Sequence, residues 1–271
     1  MATVINNCSA ELIVGNGSCL TYKLEYPRYI HSELMTHRAF SRNATSSRAC
    51  PLKTTLEKLK NDHWYPAHIY QNCPGMVGKK LAENPETFKV YWDDARDAVI
   101  KAAESMSLFD FHKQHINRIL EPFLKIKVIV TATDWDNFFN LRLAEDAEPE
   151  MRDLAMAIQL ETRGHHSSEH FGACYELQDA RCGLPFVTQE EVDMIKDPDV
   201  LMRISGARCA RISYKEYDGS DPNVMKDLEL ANRLLKAGHM SPFEHPTVFM
   251  DDNFNYYNLT GCMSYRYIYE H

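Results

Sequence analysis

The segment KIKVIVTAT, at positions 125–133, constrains the fold more than any other part of the chain. Its density of β-branched side chains is typical of a buried strand. Directly after it, Thr133 or Asp134 can cap a helix. That helix carries the large apolar residues Trp135, Phe138, Phe139 and Leu141. A buried strand followed at once by an aromatic helix indicates a core built from both kinds of element.

The rest of the chain also alternates between strand and helix patterns. Two strands are expected within 11–26, around the turn Gly15-Asn16-Gly17, followed by a helix after Pro27 and a loop-rich stretch through Pro74 and Gly75. Further helices are expected at 86–108, with Phe88, Trp92, Ala95, Val99 and Ala102 on one face, from Pro149 with Met151, Leu154, Ala155 and Ile158 inward, at 199–212, and at 222–236 before Gly238. Near the C-terminus, TVFM and CMSYRYIY look like strands. The predicted fold class is α+β, a helix-rich single domain spanning 1–271.

Composition narrows the range of functions. A net charge of −8 and a pI near 5.8 argue against a protein that grips nucleic acid through its phosphates. No apolar run approaches the ~20 residues that a membrane helix needs. The N-terminal sequence has no basic region typical of a signal peptide. The eight cysteines form no CxxC pair and are expected to be reduced thiols. We therefore expect a cytoplasmic protein without a membrane or nucleic-acid partner.

A dense polar cluster occupies residues 37–48. Three guanidinium groups and four hydroxyls occur within these twelve residues. Arginine forks suit phosphate and carboxylate oxygens, and hydroxyls can complete an anion-binding site. A solvated surface loop is the alternative interpretation. Such loops usually contain Lys, Glu, Gly and Pro, which are all absent from this stretch, so the composition favours a binding site for an anionic ligand.

Two other features offer rival sites. In HHSSEH, His166 and His170 are four residues apart, a spacing that can bind zinc on a helix. No convincing third ligand accompanies them in the sequence, so no metal site is predicted. Cys50-Pro51 superficially resembles the nucleophile of the flavin-free thymidylate synthases. That family's other signatures are absent, and Cys50 is interpreted as a packing residue or a bystander without a role in the chemistry.

Three groups of motifs together resemble the flavin-dependent thymidylate synthases. His37-Arg38, then seven residues, then Ser46 and Arg48 is similar to that family's Arg-His-Arg signature, although Thr36 replaces the first Arg, and Ala44 and Ala49 replace the usual Glu and Tyr. Arg118, followed by Asn137, Leu141 and Arg142, matches a second pair of segments, with Asp146 in place of a frequent His. GHMSPFEH matches the third motif through His239, Ser241, Glu244 and His245. The third motif precedes the others in ordinary members, so the resemblance implies a circular permutation, which close termini permit.

The resemblance implies a role for each matching residue. It places FAD against Thr36, His37, Arg38, Ala39, Asn137, Leu141, His239, Ser241 and Glu244. It places the nucleotide dUMP against Glu33, Ser46, Ser47, Arg48, Arg118 and Arg142. Arg142 is also the expected catalytic residue, because its charge can stabilise negative charge that develops on the pyrimidine. The fold implied is a central, mainly antiparallel sheet among helices.

The same resemblance implies the reaction and its partners. Reduced FAD would assist the transfer of a one-carbon unit from methylenetetrahydrofolate to C5 of dUMP, which forms dTMP, with NADPH as the reductant. The implied assembly is a homotetramer whose sites are shared between subunits. Two alternatives stay open: an enzyme that forms another C5 product such as 5-hydroxymethyl-dUMP, and an inactive protein that binds nucleotide or flavin.

Overall fold

The computed structural model describes residues 2–17, 19–165, 170–178, 180–216 and 219–271, with only the backbone described at 170 and 171. It has the predicted α+β architecture, and all strand pairings within the described residues are antiparallel. The strands are β1 Thr3–Ile5, β2 Cys8–Asn16, β3 Cys19–Pro27, β4 Ser41–Ala44, β5 Lys125–Ala132, β6 His170–Gly172, β7 Cys174–Leu177, β8 Ala180–Gly183, β9 Thr247–Phe249, β10 Asn255–Tyr256, β11 Leu259–Thr260 and β12 Cys262–Ser264. The helices are α1 His31–Leu34, α2 Leu52–Asn61, α3 Pro85–Met106, α4 Lys113–Leu120, α5 Asp136–Arg142, α6 Pro149–Gly164, α7 Gln189–Ile195, α8 Pro198–Arg211, α9 Val224–Lys236 and α10 Tyr265–Glu270.

The larger sheet is six-stranded, in the order β1-β2-β3-β5-β4, with β6 paired to the other part of β2. β5 is the predicted buried strand, and both of its faces are covered. Val128 and Val130 pack in the same cluster as α6, whereas Ile129 packs with Cys209 and Ile212 at the end of α8. Because β5 lies between two apolar layers, nearly every side chain in it is buried, and this accounts for its β-branched composition.

The helix α6 covers one face of this sheet. Met151, Leu154, Ala155 and Ile158 are fully buried against it, as predicted. Proline stands at the first helical position, where its missing N–H costs no hydrogen bond. The Glu148 side chain caps the helix by accepting a hydrogen bond from the Met151 N–H at 2.7 Å. The start of α6 is therefore fixed by both its backbone and its cap.

A second apolar core lies in the C-terminal part of the chain. The four-stranded sheet β12-β9-β8-β7 packs there with α8 and α9. A 3₁₀ turn at Ser241–Glu244 inserts Phe243 against Gly206 of α8, where a Cβ would lie 2.4 Å from the Phe243 ring. Gly206 is thus required by close packing. Gly238, with φ of +73°, ends α9 in the left-handed conformation, as its position predicted.

The structure corrects several local predictions. Leu52–Asn61 is the helix α2, although this stretch was expected to be a loop. The buried face of α3 consists of Arg96, Ile100 and Ala103, because the helix packs on α4 through a different stripe from the predicted one, and Ala95 and Ala102 are exposed. The stretch CMSYRYIY is a strand only over its first three residues, after which α10 begins with a cap from Ser264.

The first hairpin and the elements beside it begin or end at other residues than the sequence predicted. β2 continues through Asn16, so Gly15 and Asn16 belong to the strand and not to the predicted turn. After Pro27 the chain forms a short 3₁₀ turn and the four-residue α1. The N-cap of α5 is Trp135, which makes no side-chain cap, so neither Thr133 nor Asp134 is the capping residue. Asp134, one residue earlier, accepts a hydrogen bond from the Asp136 N–H at 3.2 Å. Among the described residues, no helix is long and apolar enough to cross a membrane.

Candidate functional site

Arg142 is the centre of a polar cluster at the end of α5. Its Nε donates to Nε2 of His37 at 2.9 Å, and its Nη1 forms an ion pair with the Glu33 carboxylate, also at 2.9 Å. Its Nη2 donates to the Thr36 hydroxyl at 3.1 Å and contacts the Glu33 carbonyl at 3.4 Å. Four residues of the predicted site therefore meet directly, although α5 follows α1 by about a hundred positions in sequence.

His37 is fixed in one tautomer within this cluster. Its Nε2 accepts the Arg142 hydrogen bond, so the neutral ring carries its proton on Nδ1. Burial, together with the positive charges of Arg142 and Arg42, lowers the pKa of His37. Arg42 holds the same segment from β4, with Nη1 donating to the carbonyl oxygens of Met35 at 3.1 Å and of His37 at 2.8 Å. The backbone before β4 is thus tied down by a second guanidinium.

A cavity of about 1000 Å³ opens beside this cluster. Glu33, Leu141 and Arg142 form one wall, and the segment that leads from α2 to α3 forms another. The other lining residues are Tyr29, Pro66, His68, Tyr70, Met76, Val77, Gly78, Trp92, Ala144, Asp146, Ala147, Glu148, Pro149 and Glu150. Cavities that bind organic ligands typically measure ~300–1,000 Å³. This cavity is large enough for a nucleotide and combines aromatic rings with a few charged groups.

Two carboxyl groups at the start of α6, Glu148 and Glu150, line this cavity. Burial, followed by the hydrogen bond to Glu150, raises the pKa of Glu148 to about 8. Glu150 also accepts a hydrogen bond from the Ala67 N–H at 3.0 Å. Burial and the neighbouring Glu150 raise the pKa of the Tyr29 phenol. Glu148 is therefore protonated at neutral pH and can act as a hydrogen-bond donor.

The motif GHMSPFEH contacts the polar segment that follows His37 within the same chain. The Ser241 hydroxyl donates to Oδ1 of Asn43 at 3.2 Å, and Nδ1 of the buried His245 lies 2.9 Å from the Thr131 hydroxyl. Burial lowers the pKa of His245 to about 3, so the ring stays neutral. Glu244 pairs with Arg266 of α10 at 2.8 Å. The two polar clusters, some two hundred residues apart in sequence, are neighbours in space.

The loop after β4 forms a separate polar site. The buried Ser47 hydroxyl donates to the Glu121 carboxylate, which also pairs with Arg28 at 3.3 Å. Asn117 of α4 donates to the Ser47 carbonyl at 2.7 Å and to the Cys50 carbonyl at 3.0 Å. A small cavity of about 80 Å³ beside this loop is lined by Ser46 and Ser47, by the cationic residues Arg28, Lys58, Lys125 and Lys127, and by one carboxylate, Glu25. Four cationic side chains against one carboxylate give this lining a net positive charge, which suits an anion.

The remaining predicted residues lie on the surface. They are Arg38, Ala39, Arg48, Arg118, Asn137 and His239. Within the described part of the chain, the side chains of Arg38, Arg48 and Arg118 form no hydrogen bond or ion pair. None of these three lines the cavity beside Arg142. A single chain thus brings Glu33, Thr36, His37, Leu141 and Arg142 together but leaves Ser46, Ser47, Arg48 and Arg118 apart from them.

The candidate zinc pair cannot be described in the same way. His166 lies outside the described residues, and of His170 only the backbone, in β6, is described. Elsewhere in the described chain, no group of three or more His, Cys, Asp or Glu side chains is placed to hold a metal ion.

Comparison with known proteins identifies the family. A model of the thymidylate synthase complementing proteins, the flavin-dependent thymidylate synthase family, matches residues 16–166. This range is more than half of the 271 residues. The chain belongs to this family. No curated protein matches the sequence.

The family assignment supports a thymidylate synthase-like function. The matched range contains both the Arg142 cluster and the Ser46–Arg48 loop, as well as Arg118. His239, Ser241 and Glu244 lie beyond it, so for these three the contact with β4 is the relevant observation. The circular permutation stays a prediction.

Sequence reasoning missed the cavity wall opposite Arg142. His68 and Tyr70 lie in a stretch of irregular structure between α2 and α3 and belong to no motif. Glu148 did carry one local signal, because proline is favoured at the first helical position and Glu148 directly precedes Pro149. That signal predicts a helix start and contains no information about the cavity.

Proposed function

We propose that this protein transfers a one-carbon unit from methylenetetrahydrofolate to C5 of dUMP and forms dTMP, with FAD as cofactor and NADPH as reductant. The observation that carries the proposal is the Arg142 cluster. A guanidinium fixed by Glu33, Thr36 and His37 lines a nucleotide-sized cavity in a chain of the thymidylate synthase complementing family.

Arg142 performs the electrostatic part of this function. Modification at C5 places negative charge on the pyrimidine ring and its oxygens, and a fixed guanidinium stabilises that charge without having to reorient. The neutral His37 adds no competing positive charge and orients Nε of Arg142. The Glu33 carboxylate pairs with Nη1 of the same guanidinium. Glu33 and His37 therefore act as positioning residues for Arg142.

The donors of this chain fit the chemistry of FAD. The diphosphate of FAD is dianionic, and Arg38 offers an exposed guanidinium with no partner in the described chain. Ser241 and Asn43 are joined at the edge of β4 and can offer hydroxyl and amide groups beside it. We propose that Arg38, His239 and Ser241 hold the flavin nucleotide. When bound, the flavin supplies the hydride and one-carbon chemistry.

We also propose that the complete site forms between subunits of a homotetramer. In one chain, Ser46, Arg48 and Arg118 do not line the cavity that holds Arg142. A nucleotide whose base lies at Arg142 could reach these phosphate-binding groups if another subunit supplied them. This arrangement would also neutralise guanidinium groups that have no partner in the described chain.

Mass spectrometry of the product tests the proposal. Purified protein is incubated with dUMP, FAD, methylenetetrahydrofolate and NADPH, and the nucleotide is analysed. A gain of one methyl group, with spectroscopic evidence of bound flavin, is the expected result. A hydroxymethyl product would mean that the enzyme forms 5-hydroxymethyl-dUMP and not dTMP. Bound flavin without any nucleotide product would make the protein a binding protein.

A further inference from the structure

We propose that His68, held by Asp153, is the general base that removes the C5 proton of the pyrimidine in the cavity beside Arg142. The inference rests on the proposed function. It assigns a catalytic role to a residue of the irregular segment between α2 and α3, which carries none of the motifs found in the sequence.

The geometry joins a base to a carboxylate that orients it. Nε2 of His68 lies 3.1 Å from Oδ2 of Asp153, and His68 also lines the cavity. Asp153 is buried in α6, with its carboxyl side chain 6% exposed, while the His68 side chain is 25% exposed. Asn6 donates to the same Oδ2 at 2.8 Å. The carboxylate is thus fixed from two sides and can hold the imidazole in one orientation.

This contact determines which nitrogen is basic. A carboxylate only accepts hydrogen bonds, so Nε2 of His68 is the donor. In the neutral ring the lone pair then remains on Nδ1. The arrangement, a base with a third group that orients it, is the one expected at a site of proton transfer. The His68 ring also stacks on Tyr70 with a centroid separation of 6.4 Å, which further limits its rotation.

The other titratable groups of the cavity are less suited to accept this proton. Glu33 is paired with Arg142. Glu148 is protonated at neutral pH because burial raises its pKa to about 8. Glu150 already accepts a hydrogen bond from Ala67. Asp146 is exposed, and a carboxylate is a weaker base than an imidazole.

The chemical step balances without a further reactant. Once C5 carries the one-carbon unit, its remaining hydrogen must leave before the aromatic character of the ring returns. The C5–H bond breaks, and the proton passes to Nδ1 of His68. The electron pair stays with the pyrimidine, where Arg142 faces the charge. A positioned base of this kind typically contributes ~10²–10⁴-fold to the rate.

The substitution His68→Gln separates this role from a structural one. The glutamine side-chain amide can still donate to Asp153 and hold the segment against α6, but it has no basic nitrogen. With dUMP tritiated at C5, the variant is expected to release tritium to water ~10²–10⁴-fold more slowly than the wild type. Flavin absorbance, the Kd for dUMP and the melting temperature are expected to stay unchanged. His271→Gln, at the exposed end of α10, is the matched control and should keep the wild-type rate.

The outcomes distinguish this inference from the proposed function. If His68→Gln releases tritium at a rate within about twofold of the wild type, His68 is not the general base, and the proposed function still stands. Failure of the wild type itself to release tritium removes the proposed function and the base together. If His68→Gln does not fold, His68→Ala with added imidazole replaces it. Restoration of tritium release in proportion to imidazole concentration supports the base, and its absence in a folded His68→Ala overturns it.

Discussion

The arginines in and beside the predicted site fall into two groups that differ in how they are held. Arg142 and Arg42 are half-buried, and each donates several hydrogen bonds to the segment 33–37. Arg38, Arg48 and Arg118 are exposed and pair with no group in the described residues. All except Arg42 belong to the predicted site. The first group is therefore organised by the fold itself, whereas the guanidinium groups of the second are exposed to solvent.

This difference predicts which step of the function each group serves. A guanidinium that is already fixed costs little entropy when charge develops beside it, so it suits transition-state stabilisation. An exposed and mobile guanidinium loses side-chain entropy when it binds, so it suits ground-state binding of a phosphate. Substitutions in the two groups are thus expected to change different kinetic constants.

The largest effect is expected at Arg142. Arg142→Ala should lower kcat by ~10²–10³, as does the loss of one oxyanion-stabilising donor. The KM for dUMP should change far less, because the interaction strengthens in the transition state. Steady-state kinetics with dUMP and methylenetetrahydrofolate measure both constants. Arg233→Ala, on the exposed side of α9, is the matched control and should leave both unchanged. If kcat survives the loss of Arg142, the catalytic assignment is wrong.

A smaller effect of a different kind is expected at Arg118. Arg118→Ala should weaken dUMP binding by ~10-fold. A hydrogen bond to a charged group contributes ~1.5–3 kcal/mol, and the exposure of Arg118 to solvent keeps its contribution near the lower end of that range. The kcat at saturating dUMP should stay close to that of the wild type. Titration calorimetry at low and high salt gives the test, and the difference from the wild type should shrink as salt screens the charge.

Deoxyuridine, which lacks the phosphate, is the control ligand for Arg118. Its binding should be the same in the wild type and in Arg118→Ala. A variant that loses affinity for deoxyuridine as well would place Arg118 at the base or sugar. Arg118 would then no longer belong to the group of arginines that is expected to bind the phosphate.

The sequence predicted the elements whose patterns are strong. β5 was predicted because its side chains are apolar on both faces, and α6 because proline and apolar periodicity agree at its start. The family was also predicted, and the match of the family model to residues 16–166 confirms it. Local signals failed at α10, where the aromatic run CMSYRYIY fits a strand or a helix equally well. α2 was missed because its polar residues leave only Thr55 and Leu59 fully buried.

The site was predictable only as far as its motifs extend. The pairing of Arg142 with Glu33 and His37 depends on the fold bringing α5 to α1, and no spacing in the sequence determines it. His68 could not be found, because the irregular segment that carries it has no periodicity. The prediction of a single domain and the roles of individual site residues stay predictions. The contact between Ser241 and Asn43 shows that the two polar clusters are neighbours, as their proposed common site requires.

The smallest expected effect concerns Glu148, which lines the same cavity as Arg142. Burial and then Glu150 raise its pKa from an ordinary value of 4.5 to about 8, and Glu33 adds to this. Because the folded state holds this proton more tightly than the unfolded state, Glu148 favours folding most at low pH, and that advantage is lost as pH rises through about 8. Between pH 6 and 9, the melting temperature of the wild type should fall by roughly 2–4 °C more than that of Glu148→Gln.

Thermal melts between pH 6 and 9 measure this difference, with Glu145→Gln, an exposed residue nearby, as the control. Glutamine imitates the protonated acid at every pH, so the variant should lose the part of the pH dependence that Glu148 supplies. The same ionisation would place a second negative charge near the Glu33–Arg142 pair, and kcat should also decline in the wild type as pH passes 8. Parallel melting curves for Glu148→Gln and the wild type would mean that Glu148 titrates in the folded state as it does in the unfolded chain. The carboxyl pair at the start of α6 would then be solvated, and the Arg142 side of the cavity would be less sheltered from water than its burial indicates.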